Sequence, residues 1–355
     1  GQGQGQGQVP IFHSARWRHD VDLKGKRVAC VGTGASAVQF LPQVVRAGCE
    51  RVYLFQRTPS WVAPKDERPV CCHRMVVFFC QWVPLFATLL RWWQFVAMEL
   101  TYLLVMNVCG LGRVISRVVR FCINRNVSDK SKREVLVPTD TPGCRRILIS
   151  KDWYPSLAHE SVTIVTGSIE SIRPTPAASS SNTAASATIT STNPGGIEEN
   201  TEVDVVILGT GFLASDFLST LTIRGKGAKN LHDMWGSVPV AYKGVLVPNM
   251  PNFFILYGPG TNLGHNSIVF MIECQVHFVA QCMSEVARRS QRQGGRPVCV
   301  CVSLRACQQY NNSLQKDLSR TVWAGDCNSW YTAGSRSKRS HTTEEKRRAG
   351  EEEGP

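Results

Sequence analysis

Short apolar runs closed by glycine, followed by stretches of helical periodicity, set the pattern of this chain. Val28-Ala29-Cys30-Val31 reads as a buried strand, Gly32-Thr33-Gly34-Ala35-Ser36-Ala37 as a turn, and Val38-Gln39-Phe40-Leu41 as the start of a helix. A second strand follows at Arg51-Val52-Tyr53-Leu54-Phe55. Later apolar runs predict strands at Ile147-Leu148-Ile149, Val162-Thr163-Ile164-Val165 and Glu202–Leu208, with a helix from about Ile268 to Arg289. Strands alternating with helices predict an α/β fold.

Between these blocks the pattern breaks three times. Residues 1–11 open on a Gly-Gln repeat that is too low in complexity to pack. Residues 174–196 are almost all Ser, Thr, Ala, Asn and Pro, and read as a low-complexity loop. Residues 332–355 are polar and charged without periodicity, and read as a disordered tail. Residues 70–123 are the most apolar stretch: Met75–Leu90 carries no charge, and Trp92–Gly112 carries only Glu99. Pro84, Arg91 and Glu99 interrupt it, which favours buried or surface-docked helices over a bilayer span. Association of this stretch with a membrane surface stays open as an alternative.

The turn after the first strand has the spacing GxGxxA. Gly32 permits the tight bend, Gly34 lets a pyrophosphate approach the backbone, and Ala37 is small enough for the helix to lie on the strand. The helix N-terminus then offers its free N–H groups to the phosphates, with Thr33 and Ser36 in the same turn. At the end of the second strand, where an acid would hold the ribose 2′-hydroxyl of NAD, the chain reads Gln56-Arg57-Thr58. An arginine without a carboxylate favours a 2′-phosphate, hence NADP. His13 and Trp17, ahead of the first strand, read as loop anchors.

Composition changes this picture little. The net charge of +13 suggests a polyanion partner, but the basic residues are scattered and no nucleic-acid motif accompanies them, so no nucleic acid is expected. Fourteen cysteines include no CxxC pair, which excludes zinc-ribbon spacing and a dithiol reductase. Reduced thiols are expected, and with no secretory leader heading the chain, a cytoplasmic location.

Taken in order, Phe12–Trp17, Gly25–Ala37, Phe55–Trp61, Pro138–Arg146, Asp204–Phe212, Pro251–Ser267 and Val322-Trp323 with Ser329-Trp330-Tyr331 resemble the flavin-dependent monooxygenases, specifically the Baeyer–Villiger group. The resemblance implies tandem Rossmann-like dinucleotide domains for FAD and NADP, with a helical insertion at 70–123. It assigns 12–166 to the NADP domain and 201–331 to what remains of an incomplete FAD domain, whose glycine-rich βαβ unit this chain lacks. It implies that Arg57 and Thr58 contact the 2′-phosphate, with Arg145 in support. Thr210, Gly211, Gly258 and Thr261 would lie along FAD, and Arg146 would be the catalytic arginine beside the flavin. The implied reaction is NADPH reduction of FAD, uptake of O2 as a C4a-peroxyflavin, and oxygen insertion into a small organic substrate. The alternative is an inactive NADP-binding remnant. Two positions depart from the family pattern: Gly209 stands for Ala and Gly260 for Asn.

Overall fold

A computed structural model describes residues 9–65, 70–175, 186–212 and 216–324. The Gly-Gln repeat, the tail after 332, residues 176–185 of the low-complexity segment and Ser329-Trp330-Tyr331 lie outside them. In chain order the elements are β1 (Ile11–His13), β2 (Arg27–Val31), α1 (Ala35–Arg46), β3 (Arg51–Gln56), β4 (Val62–Ala63), α2 (Val70–Trp82), α3 (Pro84–Val105), α4 (Gly112–Asn126) and α5 (Lys130–Leu136). They continue as β5 (Leu148–Ile149), α6 (Trp153–Ala158), β6 (Val162–Thr166), β7 (Ser168–Pro174), β8 (Ala187–Thr192), β9 (Glu198–Val203), β10 (Val205–Leu208), α7 (Leu231–Trp235), α8 (Ile268–Arg292) and α9 (Leu304–Leu318).

The chain divides into two units. One comprises 1–82, 113–142 and 146–212; the other comprises 83–112, 143–145 and 213–355. In the first, five parallel strands form a sheet in the order β1-β10-β2-β3-β6. Its register aligns Val205, Val28 and Val52 in one row, and Ile207, Cys30 and Leu54 in another. Both rows face one side, where α1 buries Ala37, Val38, Leu41 and Val44 against them, joined by Val119 and Ile123 of α4 and Leu157 of α6. The alternate positions Ala29, Phe55 and Val206 face the other side, onto Ala187, Ile189 and Val203 of the antiparallel sheet β7-β8-β9. Covering on both faces is why these parallel strands are apolar at nearly every position.

This fold has the expected α/β class, but four segment assignments change. The segment read as a loop over 174–196 contains β8. Its Ala-Thr-Ile-Thr-Ser-Thr sequence alternates, with Ala187, Ile189 and Ser191 buried and the threonines between them half-buried. Small and hydroxylated residues mask that period, which tertiary packing then selects. The expected boundary at 201 also moves, to after Phe212, because β10 hydrogen-bonds between β1 and β2. The helical insertion divides in the same way. α4 packs in the core of the first unit, whereas α3 belongs to the second, where Phe95 meets Phe270 of α8 at 5.1 Å between ring centroids. β1 begins at Ile11, inside the stretch read as low-complexity. Among the described residues no helix is long and apolar enough to cross a membrane.

Arg27 closes the lower edge of the sheet. Its backbone N–H donates to Asp204 at 2.8 Å, and its guanidinium donates to Asp204 at 2.7 Å and to Glu202 at 2.8 Å. Of the cysteines, Cys30, Cys49 and Cys307 are buried thiols, and burial pushes all three above the ordinary thiol range, Cys49 to about 11. Cys144 is disulfide-bonded, against the expectation of reduced thiols throughout.

Candidate dinucleotide site

The carboxyl ends of β2 and β10 carry two glycine turns that touch. Gly32 has φ +102°, a left-handed conformation that L side chains avoid, and a Cβ there would come within 2.7 Å of the Gly209 carbonyl oxygen. Gly209 in turn donates its N–H to the Val31 carbonyl at 2.8 Å. A Cβ on Gly209 would sit 3.0 Å from that carbonyl oxygen and 3.2 Å from the Phe40 ring, which gives the glycine at this position a steric reason. The carboxyl ends of parallel strands are where open α/β sheets take their ligands.

Gly34 behaves differently from Gly32. It is the N-cap of α1 at φ −73°, makes no side-chain cap, and a Cβ on it would meet nothing within 4 Å. The first intrahelical bond is Val38 N–H to Gly34 carbonyl, so the N–H groups of Ala35, Ser36 and Ala37 lie at the open end of the helix. Ala37 is fully buried against the sheet, as expected of the small residue that closes the motif.

Thr33 is buried. Its Oγ1 donates to the Thr58 carbonyl at 2.8 Å, and Ser60 Oγ donates to the Thr33 carbonyl at 2.7 Å. These two bonds tie the turn to the segment that leaves β3, and so bring Arg57 and Thr58 alongside it. Ser60 has no counterpart in the sequence reading; its signal is a hydroxyl four residues past β3. Gln56 is turned inward, its Nε2 donating to the Val135 carbonyl at 2.7 Å and its Oε1 buried without a partner. Arg57 is exposed and forms no ion pair among the described residues. Position 56 thus serves the core, and the free charge at the turn belongs to Arg57.

Just beyond β10, Thr210 and Gly211 are exposed. Gly211 has φ +85° with open space around its Cα, and His13 Nε2 lies 3.2 Å from its carbonyl oxygen. Trp17 packs edge-on to Phe12 and against Phe40 of α1, so both sequence-singled aromatics hold the turn from beneath.

Of the other candidate residues, Arg146 belongs to the first unit and the rest to the second. Arg146 is exposed at the entrance to β5. Arg145 belongs to the second unit, half-buried beside Gly143, whose φ is +90° and whose Cβ would collide with the Val105 carbonyl. Trp323 Nε1 donates to the Gly143 carbonyl at 2.9 Å. In the same unit Thr261 is buried and spends its hydroxyl on the Gly258 carbonyl at 2.7 Å. Gly258 packs onto Gly244, where a Cβ would come within 2.3 Å of the carbonyl oxygen, and Gly260 has φ +77°. Glycine and asparagine both tolerate that conformation, which accounts for the substitution at 260. Among the described residues no group of acids, histidines and cysteines could hold a metal.

No family model matches the chain. It is 35% identical over 328 residues to a Baeyer–Villiger monooxygenase of Pseudomonas aeruginosa, covering 91% of this chain and 57% of that protein. It is 31% identical over 324 residues to the FAD-binding monooxygenase ktnD of Aspergillus niger, covering 90% and 50%. The chain therefore spans little more than half the length of these relatives. Among solved structures, an oxidised steroid monooxygenase bound to NADP superposes with a TM-score of 0.69 at 20% identity, covering 94% of this chain and 66% of that one.

Proposed function

Because the chain is a relative of the Baeyer–Villiger-type flavin monooxygenases over some nine-tenths of its own length, we propose that it supplies the NADPH site, and part of the FAD site, of such an enzyme. The reaction is insertion of one oxygen atom from O2 into a small organic substrate, from ketone to ester or at nitrogen or sulfur. The observation that carries this reading is the turn after β2: an uncapped helix N-terminus, open space over Gly34, and an unpaired Arg57 with no acid beside it.

NADP fits these residues. The N–H groups at Ala35, Ser36 and Ala37 are aimed where a pyrophosphate would lie, and no side chain at Gly34 stands in the way. Arg57, with Thr58, takes the 2′-phosphate; a guanidinium suits it because it offers several donors at fixed angles. FAD fits only in part. Thr210 and Gly211 offer an open backbone edge, but among the described residues no second strand–glycine–helix turn exists to hold its pyrophosphate.

When bound, FAD supplies the oxygen-activating chemistry. The chain's own residues bind and orient. Thr33 and Ser60 fix the phosphate turn, His13 fixes the Gly211 edge, and Arg146 brings a permanent positive charge that stabilises negative charge developing on the substrate oxygen. The single pyrophosphate cradle also favours a second reading, an NADP-binding protein that does not turn over.

Purification separates the two. A yellow protein with a flavin absorbance band supports the oxygenase; a colourless one that prefers NADP(H) supports the second reading. Equal affinity for NADPH and NADH would overturn both.

A further inference from the structure

One helix of the second unit turns an apolar stripe to solvent. On α3 the stripe is Leu85, Leu89, Trp92, Val96, Leu100 and Leu103, spaced four, three, four, four and three residues apart, so that all six share one face. Each is exposed, from 39% at Leu103 to 67% at Leu85, and Trp93 is exposed on the flank of the stripe. An adjoining side of the helix is held by its own unit. There Phe95 packs on Phe270 of α8, and Tyr102 meets the His265 ring edge-on at 5.1 Å. The stripe is therefore presented by an anchored helix. Arg91, paired with Glu273, and Glu99, which accepts from Asn266 at 2.6 Å, are exposed at its rim. They are the charged residues of α3.

The order of the stripe is nearly palindromic. Leu85 and Leu103 lie nine residues either side of Gln94, Trp92 and Val96 lie two residues either side, and Leu89 and Leu100 lie five and six residues away. A two-fold axis crossing the stripe at the level of Gln94 lays it antiparallel on a second copy of itself. Leu85 then meets Leu103 of the second copy, Leu89 meets Leu100, and Trp92 meets Val96. Trp93, one residue from that level, comes beside its own counterpart. The rim charges follow the same rule. Arg91 of one copy stands within two residues of the level of Glu99 of the other, whereas like charges stand six or more residues apart.

We propose that the chain self-associates through α3, two stripes packing antiparallel about a two-fold axis at the level of Gln94. This goes beyond the oxygenase reading and does not depend on it. Area, symmetry and charge select the occupant. At these exposures two tryptophans, four leucines and a valine leave on the order of 800 Å² of mostly apolar surface in water, the area each partner buries in a standard interface. Two-fold association requires a patch complementary to itself, which the palindromic order supplies. A bilayer surface favours a helix with an excess of basic residues, and α3 carries one arginine against one glutamate.

The test is sedimentation equilibrium of the full chain, joined to photo-cross-linking. The expected result is a reversible monomer–dimer equilibrium. Trp92→Ser with Val96→Ser should raise its dissociation constant about thirtyfold or more, the scale of a lost central aromatic anchor. A benzoylphenylalanine in place of Leu85 should cross-link to the peptide around Leu103 of the second copy, and the same group in place of Leu103 to the peptide around Leu85. A chain that is monomeric at about 100 μM overturns the proposal, because interfaces of this area are micromolar or tighter. A dimer indifferent to the serine pair, or one cross-linked from position 85 to position 85, overturns it as well. A monomer that floats with phosphatidylcholine vesicles would show that a bilayer covers the stripe, and also overturns it. If the serine variant does not fold, the cross-link pattern of the chain with Trp92 and Val96 intact decides.

Discussion

His13 Nε2 lies 3.2 Å from the Gly211 carbonyl oxygen, while Nδ1 of the same ring accepts the Ala15 N–H at 3.1 Å. The two contacts together require the neutral tautomer with its proton on Nε2, donating to Gly211. A ring near the start of the chain thus clasps the turn at the end of β10. Nitrogen chemical shifts of the imidazole should report that tautomer, and His13→Ala should cost about 1 kcal/mol in urea denaturation. Amide exchange at Phe212 should quicken in the variant; unchanged exchange would show that the clasp does not hold the turn.

The two turn glycines should separate folding from binding. Gly32→Ala places a Cβ within 2.7 Å of the Gly209 carbonyl at φ +102°, and should cost at least about 1–3 kcal/mol from backbone strain alone. Gly34→Ala meets nothing in the folded chain and should leave the melting temperature nearly unchanged, yet weaken NADPH binding because the methyl stands where the pyrophosphate approaches. Calorimetric melting and nucleotide titration on the pair provide the check. Equal NADPH affinity in wild type and Gly34→Ala would remove the phosphate from this turn.

Arg57→Ala should erase most of the preference for NADPH over NADH. Loss of a charge-assisted phosphate contact is worth about 1.5–3 kcal/mol, or roughly ten- to 150-fold in affinity. Because the side chain is exposed and unpaired, stability should hardly move. Titrating both nucleotides against both proteins measures the difference directly.

The Arg27 cluster should shape the acid side of the stability profile. Burial pushes the Asp204 carboxyl up, but hydrogen bonds from the Arg27 side chain and backbone, with the guanidinium charge, outweigh it and leave it below the usual range. Glu202 is lowered too, first by Arg27 and then by Ser186. A depressed carboxyl contributes stability that is complete above its unfolded value near about 4, and that is lost as pH falls through the lower folded value. Asp204→Asn should flatten this loss below about pH 4. It should also cost about 1.5–3 kcal/mol at neutral pH, the range for hydrogen bonds to charged groups. Denaturant melts at several pH values would reveal an unaltered slope if the pair is inert.

Arg146→Ala should spare NADPH binding and suppress oxygenation in a form of the enzyme as long as its relatives. Removal of one preorganised electrostatic donor costs on the order of 10²–10³ in rate, and lysine should rescue poorly because it lacks the planar fork. NADPH consumption measured beside ester or oxide formation tests this; product formation near the wild-type rate would remove Arg146 from the chemistry.

The strand–turn–helix at 28–41 was legible because each residue's local preference agrees with its place: apolar strand, left-handed glycine, small residue at the helix contact. The position of β10 was not. Val205-Val206-Ile207-Leu208 reads clearly as a buried strand, but its neighbours β1 and β2 lie about 175–195 residues earlier, and no local pattern encodes a pairing at that distance. β8 was hidden for the opposite reason, since only Ile189 of its inward positions is a large apolar residue, and Ala187 and Ser191 pass for a linker. At the site, Gly209 and Gly260 looked like departures from the family pattern, and geometry supplies their reasons. The absence of an acid beside Arg57 is plain in the sequence, but the inward turn of Gln56 depends on Val135 and leaves no local signal.

The place of β10 in the sheet bears on how the molecule is made. β1 and β2 leave the ribosome one soon after the other, yet they never pair; the strand that joins them emerges some 170 residues after β2. Throughout that interval the edge of β2 away from β3 lacks its strand partner, and so does β1. Such late, long-range closure slows folding and leaves an exposed strand edge open to mispairing. A nascent chain arrested before Val205 would hold the residues of the phosphate turn on a sheet that cannot yet close.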